Sequence, residues 1–360
     1  MSQAQDTASI TPWHAFKRGL TNPSGLALSV TLAIPLGLLL WVMLWVNEAW
    51  FASDNHRWFA DSAFDDATFV SARALTLGYS DPNRDKVIIV GASATRVAMR
   101  PEMIRQRVGD SAEIYPMATG RQTFWESQHL LSRLPQGSQG IVFVGLGPSR
   151  LTQPLDSLQD ILNSPRVAFR SETFDNTLLA HGFTPRQPHT NYALDNASFL
   201  LARVPALLRN LVMGPPTYSA GYLDGPAAKK RAYDRIAKRV AARWDDYDAN
   251  HRHNLDALSD LIAFIRARSD MQIVLLEHPM NPAFEQEYLP AALRQKHQQL
   301  LTDFAQEHQV QYWQPASTLD FSTDAFYDWA HLRDREAANQ YTRKVMQLAL
   351  AEGLWENNNE

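Results

Sequence analysis

The alternation of short apolar runs with amphipathic segments is the feature that most limits the fold of this chain. Residues 86–93 (KVIIVGAS), 140–147 (GIVFVGLG) and 271–279 (MQIVLLEHP) are apolar runs that end in small or polar residues. Residues 113–120 (EIYPMATG) and 310–315 (VQYWQP) are weaker runs of the same kind. Segments with helical spacing of apolar residues lie between them. Because continuous apolar strands are typical of sheets buried on both faces, we expect an α/β domain in three layers, with about five parallel strands.

Two segments interrupt this pattern. Residues 25–46 (GLALSVTLAIPLGLLLWVMLWV) contain no charged residue, and a helix rising ~1.5 Å per residue over this length crosses a ~30 Å hydrocarbon core. The run exceeds the ~7–15 apolar residues of a cleaved signal peptide, so we expect an uncleaved transmembrane helix. Residues 151–249 are richer in proline, asparagine and polar residues. We expect them to form a large insertion that shapes a substrate cleft beside the strand ends.

The charges around the apolar run predict its orientation. Lys17 and Arg18 precede it, whereas acidic residues gather after it. The positive-inside rule then assigns residues 1–24 to a cytoplasmic tail. Residues 47–85 are interpreted as a juxtamembrane helix and linker that acts as a spacer. Residues 86–353 would form the domain itself, outside the cytoplasm, on a single-pass protein.

Composition excludes several classes of function. The net charge of −4 and the 20% of charged residues argue against nucleic acid as a partner. The chain has no cysteine, so disulfides, cysteine nucleophiles and thiolate metal sites are excluded. His251 and His253 would share a face only on a strand, and spacing supplies no further ligand. We therefore expect no bound metal and no cofactor.

Three residues at predicted strand ends could carry chemistry. Ser93 lies where the first strand ends and a helix begins, so its hydroxyl is exposed beside free helix N–H groups. Serine needs a base within hydrogen-bond reach, and His331 follows the last strand at the same edge of the sheet. Asp328 could accept a hydrogen bond from the imidazole and stabilise the imidazolium. Each motif alone is also compatible with an ordinary turn or helix cap; together they favour a Ser-His-Asp triad.

Other residues have two readings each. His278 ends the fourth strand and either contacts substrate or shapes a turn. Arg96, one turn after Ser93, either binds an anionic group of the substrate or pairs with an acid. Residues 229–244 form a basic amphipathic helix, which either lies on anionic lipid or glycan or packs by its apolar stripe with a solvated basic face.

The same blocks resemble the SGNH/GDSL hydrolase superfamily. Ser93 in IIVGASATR, Gly120 in YPMATG, the segment VFVGLG and the segment DWAHL follow the order of that family's conserved blocks. The resemblance implies that Ser93 is the nucleophile, that Asp328 and His331 complete the triad, and that the N–H of Gly120 is an oxyanion donor. The resemblance covers most of the chain after residue 86.

The chain departs from the family pattern at two blocks. The first block reads Gly-Ala-Ser rather than Gly-Asp-Ser. The third block of the family is Gly-x-Asn, whereas Gly145 is followed here by Leu146 and Gly147. Losing one oxyanion donor reduces the rate by ~10²–10³. Ser149 or Arg150 are the candidates to replace the missing asparagine.

A membrane-tethered domain of this kind is similar to DltD-like and alginate-acetylation (AlgJ/AlgX-like) proteins of bacterial envelopes. The resemblance implies a periplasmic domain on the inner membrane that adds or removes acyl groups, most simply acetyl, on a cell-envelope polysaccharide, beside an acyltransferase of the MBOAT type. Two alternatives stay open: a non-catalytic polysaccharide-binding or assembly subunit of the same fold, and a membrane-tethered lipid esterase.

Overall fold

The computed structural model describes residues 23–152, 165–182 and 191–355. The cytoplasmic tail expected over residues 1–24 falls almost wholly outside the described residues. The described helices and strands follow in chain order: α1 (Pro23–Trp45), α2 (Glu48–Ala52), α3 (Asp66–Gly78), β1 (Asp85–Val90), α4 (Ser93–Ala98), α5 (Pro101–Val108), β2 (Ala112–Pro116), α6 (Phe124–Leu131), β3 (Gly140–Leu146), α7 (Pro148–Leu151), α8 (Glu172–Ala180), α9 (Tyr192–Asp195), α10 (Ala197–Ala202), α11 (Val204–Met213), α12 (Lys230–Ala241), α13 (Tyr247–Arg268), β4 (Gln272–Glu277), α14 (Pro282–Tyr288), α15 (Ala291–Glu307), β5 (Gln311–Trp313) and α16 (Arg335–Ala351).

The five strands form one sheet in the order β2-β1-β3-β4-β5, and every neighbouring pair is parallel. This confirms the α/β class and the parallel sheet expected from the sequence. The chain runs outward in one direction from β1 to β2 and in the other from β3 to β5, so the strand order reverses between β1 and β3. In open parallel sheets, ligands bind in the crevice at the carboxyl ends of the strands beside such a reversal.

Alternate residues of the strands supply two separate cores, one on each face of the sheet. The first core contains strand residues Ile88, Val142 and Leu275, and it is completed by helices α6 and α13. The second contains strand residues Val87, Phe143 and Val274, completed by α5 and α16. Because side chains alternate between the faces of a strand, both faces must be apolar, which explains the continuous apolar runs in the sequence.

Gly145 lets helix α4 approach β3 closely. A Cβ at residue 145 would lie 1.9 Å from Oγ1 of Thr95, one of the buried residues of α4. Any larger residue would push α4 away from the sheet. The glycine therefore fixes the height of α4, and with it Ser93 at the first position of this helix, above the strand ends.

Residues 47–85 are not a simple spacer. Helices α2 and α3 and the 3₁₀ segment Asp54–Phe59 fold back onto the domain, and Phe51, Phe59 and Leu75 are fully buried. They share an apolar cluster with the insertion, through Phe199 and Leu207. The sequence interpretation missed this because the segment has no long periodic run, and its apolar side chains are held by tertiary contacts.

The apolar run at residues 25–46 coincides with α1, but the membrane span itself remains a prediction. Across the described part of the chain, no helix is long and apolar enough to cross a membrane. Some side chains of α1 lie outside the described residues.

Candidate active site

Ser93 stands at the N-terminus of α4, directly after β1. Ala92 precedes it as the N-cap, with extended backbone angles, and no side chain caps this helix. The first N–H groups of a helix have no acceptor within the helix, so the N–H of Ser93 is available to a ligand. The serine is half-buried, in contrast to the buried strand that precedes it.

A turn built by Asp328 carries His331 to the same edge of the sheet. Oδ1 of Asp328 accepts hydrogen bonds from the backbone N–H groups of Ala330 and His331, both at 3.1 Å. The backbone N–H of Tyr327 donates to the carbonyl of His331 at 2.7 Å, which closes the turn. The spacing of this aspartate and histidine therefore has a structural cause: the carboxylate folds the loop that presents the imidazole.

The three side chains form one chain of hydrogen bonds. Nε2 of His331 lies 2.7 Å from Oγ of Ser93. Nδ1 of His331 lies 2.8 Å and 2.9 Å from the two carboxylate oxygens of Asp328. In the tautomer that this geometry favours, Nδ1–H donates to the carboxylate and Nε2 accepts the serine hydroxyl. This is the arrangement by which an imidazole removes a proton from an attacking serine.

The environment keeps Asp328 ionised. Burial alone would raise the pKa of this carboxyl group, but hydrogen bonds and charge attraction from His331, together with two backbone N–H donors, hold its pKa below the usual value. Asp328 is 4% exposed and His331 is 8% exposed. A carboxylate fixed in this shielded position holds the ring of His331 in the orientation that a general base requires.

Tyr222 packs against the imidazole from the insertion. Its ring is stacked on that of His331, with centroids 4.3 Å apart and planes 13° apart. Tyr222 has a φ of 63°, an unusual conformation for a tyrosine. Two contacts hold the loop around Tyr222 in place. Asp224 forms an ion pair with Arg335, and the N–H of Asp224 donates to the carbonyl of Arg333. Sequence reasoning missed Tyr222, because nothing in the insertion indicates which residue reaches the triad.

Gly120 does not present a free donor in this structure. Its backbone N–H donates to Oδ2 of Asp66 at 2.9 Å. Asp66 also accepts from the hydroxyl of Tyr218 at 3.0 Å and forms an ion pair with Arg96. The expectation of an open oxyanion donor at Gly120 therefore differs from the geometry, since α3 inserts a carboxylate where the oxyanion would bind to that N–H.

The same contacts decide between the two readings of Arg96. Its guanidinium pairs with Asp66, and both side chains are largely buried, at 13% and 15% exposed. Arg96 thus satisfies an acid of the protein rather than presenting a free charge for substrate.

His278 fills the space beside the third block. A Cβ at residue 147 would lie 2.2 Å from Nε2 of His278. Leu146 pairs with Glu277 across β3 and β4, and Val90 pairs with Val144 across β1 and β3. Ser93, Gly147 and His278 therefore come to similar heights just beyond the ends of neighbouring strands. The imidazole extends over Gly147, and an asparagine there would collide with it. Burial lowers the pKa of His278 to about 4, which keeps the ring neutral.

Ser149 and Arg150 differ in position. Ser149 is half-buried, and its backbone carbonyl accepts a hydrogen bond from Thr152 at 2.9 Å. Arg150 is 3% exposed; its Nη1 donates to the carbonyl of Gly145 at 2.6 Å, and its guanidinium lies over the ring of Phe124. Burial lowers its pKa to about 9. Arg150 is therefore committed to the core beneath the strand ends and is not an oxyanion donor in this structure.

The remaining candidates are structural. In α12 the apolar stripe packs against α14 through Ala237, Val240 and Phe284, and most of the basic side chains are exposed, as expected for a helix packed by its apolar stripe.

Nδ1 of His251 lies 2.9 Å from the carbonyl of Tyr247 on the preceding turn. Within the described residues, no group of three or more histidine, aspartate or glutamate side chains could hold a metal ion.

Comparison with known proteins does not assign the chain to a family. No family model matches it, and no curated protein sequence is significantly similar.

Proposed function

We propose that this protein is a serine acyltransferase or esterase of the SGNH/GDSL type that uses Ser93, His331 and Asp328. The observation that carries the proposal is the continuous hydrogen-bonded path from Oγ of Ser93 through His331 to Asp328, with distances of 2.7 Å and 2.8 Å. A buried, ionised carboxylate at the end of this path is what a general-base imidazole requires.

The proposed reaction has two half-reactions. Oγ of Ser93 attacks the carbonyl carbon of an acyl donor, and its proton passes to Nε2 of His331. The tetrahedral oxyanion is held by the N–H of Ser93, and its collapse expels the leaving group, which takes the proton from His331. The acyl-serine is then attacked by an acceptor hydroxyl or by water, whose proton moves to His331 and then returns to Oγ as the ester bond to Ser93 breaks.

The acceptor is proposed from the resemblance to envelope proteins. A polysaccharide hydroxyl would make the protein a transferase, and water would make it an esterase; exclusion of water from the acyl-serine decides between them. Acetyl is the simplest acyl group. The apolar run at residues 25–46 supports a single-pass anchor in the bacterial inner membrane, with the domain in the periplasm beside an MBOAT-type acyltransferase. A membrane anchor would also hold the site near lipids, so a lipid ester is the alternative substrate.

Two observations favour a second candidate function. The N–H of Gly120 is occupied by Asp66, and residue 147, where the third block of the family has asparagine, is glycine. A protein with few oxyanion donors could bind a polysaccharide, or assemble with the acyltransferase, without turnover. The intact contact between Ser93 and His331 favours the catalytic proposal over this one.

Covalent labelling separates these functions. The full-length protein in detergent or nanodiscs is treated with a fluorophosphonate probe and assayed with p-nitrophenyl acetate. We expect labelling and hydrolysis in the wild type and neither in Ser93→Ala, since losing the nucleophile of a triad lowers the rate by about 10⁴-fold or more.

The matched control is Ser322→Ala, an exposed serine outside the triad, which should behave as the wild type. A well-folded wild type that neither reacts with the probe nor hydrolyses the ester would favour the binding or assembly subunit.

A further inference from the structure

Helix α11 (Val204–Met213) exposes large apolar side chains in addition to those that it buries against the domain. Leu208, Leu211 and Val212 lie three and four residues apart, hence on one side, and they are 43%, 57% and 87% exposed. The opposite side carries Leu207 and Asn210, which are buried. A helix that turns apolar side chains outward lacks the solvated face expected of a surface element.

Polar side chains of α11 bond to the backbone of the domain. Nδ2 of Asn210 donates to the backbone carbonyls of Trp58 at 3.0 Å and Ala60 at 2.9 Å. Arg209 also donates to the carbonyl of Ala60, at 3.0 Å. These bonds fix α11 to the segment that follows α2, so the outward direction of its leucines is set by the fold.

The buried side of α11 belongs to the same apolar cluster as the residue that follows α1. Leu207 shares an apolar cluster with Val46, the residue that follows α1. Leu44 and Trp45, the last two residues of α1, are 70% and 64% exposed. Helix α11 and the end of the proposed membrane helix are therefore held in one apolar cluster.

Aromatic residues cluster around the end of α1. The rings of Trp41 and Trp50 are in edge contact at 5.9 Å, and those of Trp50 and Phe59 at 5.8 Å. Tryptophan is enriched where membrane proteins meet the headgroup layer. Residues 197–213 contain no aspartate or glutamate, so no carboxylate along α10 and α11 opposes anionic lipids.

We infer that the outer side of α11, formed by Leu208, Leu211, Val212 and Met213 with Leu201 of α10, lies in the lipid headgroup layer. Its occupant is the bilayer surface that holds α1. The inference rests on the membrane anchor of the proposed function and adds a second contact to it. With two contacts, the domain cannot swing about the end of α1, and its orientation to the bilayer is fixed.

The absence of cysteine makes a site-specific test simple. The full-length chain with Val212→Cys carries an NBD fluorophore and is reconstituted in vesicles of phosphatidylethanolamine and phosphatidylglycerol. We expect blue-shifted emission and quenching of about half or more by lipids with a nitroxide near the top of the acyl chain, because interfacial helices lie ~5–10 Å into this boundary. The same label at Gln306→Cys, an exposed site on α15, should be quenched little.

A charge variant checks the contact independently. Leu211→Glu in the labelled Val212→Cys chain should reduce the quenching at least about twofold, because a carboxylate opposes burial of this side in the headgroup layer. Gln295→Glu adds the same charge on exposed α15 and should leave the quenching unchanged.

The outcomes separate the inference from the proposed anchor. Blue-shifted emission without lipid quenching would mean that protein, such as a second copy, covers the face, and would overturn the inference. Water-like emission from a chain that still floats with the vesicles would also overturn it while leaving the anchor intact. A chain that no longer floats would overturn both, and fluorophosphonate labelling of Ser93 would still report on catalysis separately.

Discussion

The two halves of the candidate site contrast sharply. On the base side, Asp328 and His331 lie in one short turn and are bonded to each other, and His331 also contacts Oγ of Ser93. On the side where an oxyanion would bind, the N–H of Gly120 is engaged by Asp66, and His278 fills the space that an asparagine at residue 147 would occupy.

The two sides differ in whether their residues are close together or far apart in the sequence. The base side is built by residues close together in sequence, so one motif specifies it. The oxyanion side is built by α3 and by the residues that follow β2, β3 and β4, so its chemistry depends on how separate segments pack. Four substitutions test the difference.

Asp328→Asn should have the largest effect, a fall of ~10⁴ in kcat, because the amide no longer fixes the tautomer of His331. Steady-state hydrolysis of p-nitrophenyl acetate measures it. Asp324→Asn, an exposed aspartate before the same turn, should leave kcat unchanged. A fall of less than tenfold at Asp328 would contradict the role given to the carboxylate.

The same variant has a pH signature in stability. The folded-state pKa of Asp328 is held below 3.8, so its carboxylate stabilises the fold above that pH and loses this contribution as the pH falls through the folded-state value. The difference in unfolding free energy between wild type and Asp328→Asn should therefore shrink on acidification. Urea unfolding at neutral and acidic pH measures this difference.

Asp66→Ala should lower the unfolding free energy by about 3 kcal/mol, because it leaves the largely buried guanidinium of Arg96 without its acid. Asp66→Ala combined with Arg96→Met should recover part of the loss. Urea denaturation measures both. A rise in activity per folded molecule of Asp66→Ala would show that the freed N–H of Gly120 serves catalysis, against the structural role described above.

Gly147→Ala should cost about 1–3 kcal/mol of unfolding free energy, because its Cβ would collide with the ring of His278. In a His278→Ala background the same change should be nearly neutral. Chemical denaturation of the four proteins forms a double-mutant cycle. Equal costs in both backgrounds would mean that His278 does not occupy this space.

Tyr222→Leu should have the smallest effect on rate. We expect kcat to fall by the equivalent of ~0.5–2 kcal/mol in activation free energy, because the stacked ring attracts the imidazolium that forms during catalysis. Tyr222→Phe retains the ring and should remain close to wild type. The comparison is made by kcat on p-nitrophenyl acetate. Equal losses in both variants would assign the effect to the hydroxyl group instead.

The sequence predicts the parts of this protein that depend on local pattern. Continuous apolar runs predict the buried parallel strands, because both faces of the sheet are covered. Ser93 and His331 are brought together because both follow strands of a parallel sheet, whose carboxyl ends share one edge.

The parts missed by sequence depend on packing between distant segments. Asp66, Tyr218 and Tyr222 come from segments with no regular apolar period, and their neighbours are set by how α3 and the insertion fold onto the sheet. The hydrogen bond from the N–H of Gly120 to Asp66 could not be predicted from the segment around Gly120, because Asp66 is 54 residues earlier in the chain. His278 was placed correctly at a strand end, but its collision with residue 147 depends on strand register.

The hydrogen bond between Ser93 and His331 joins residues 238 positions apart. The nucleophile is therefore synthesised long before its base, and no truncated product that ends before residue 331 can complete the triad. A nascent chain that has not yet reached residue 331 carries Ser93 without the imidazole that the proposed mechanism requires. In the proposed mechanism, the site is therefore completed only after the segment that carries His331 has been made and has docked.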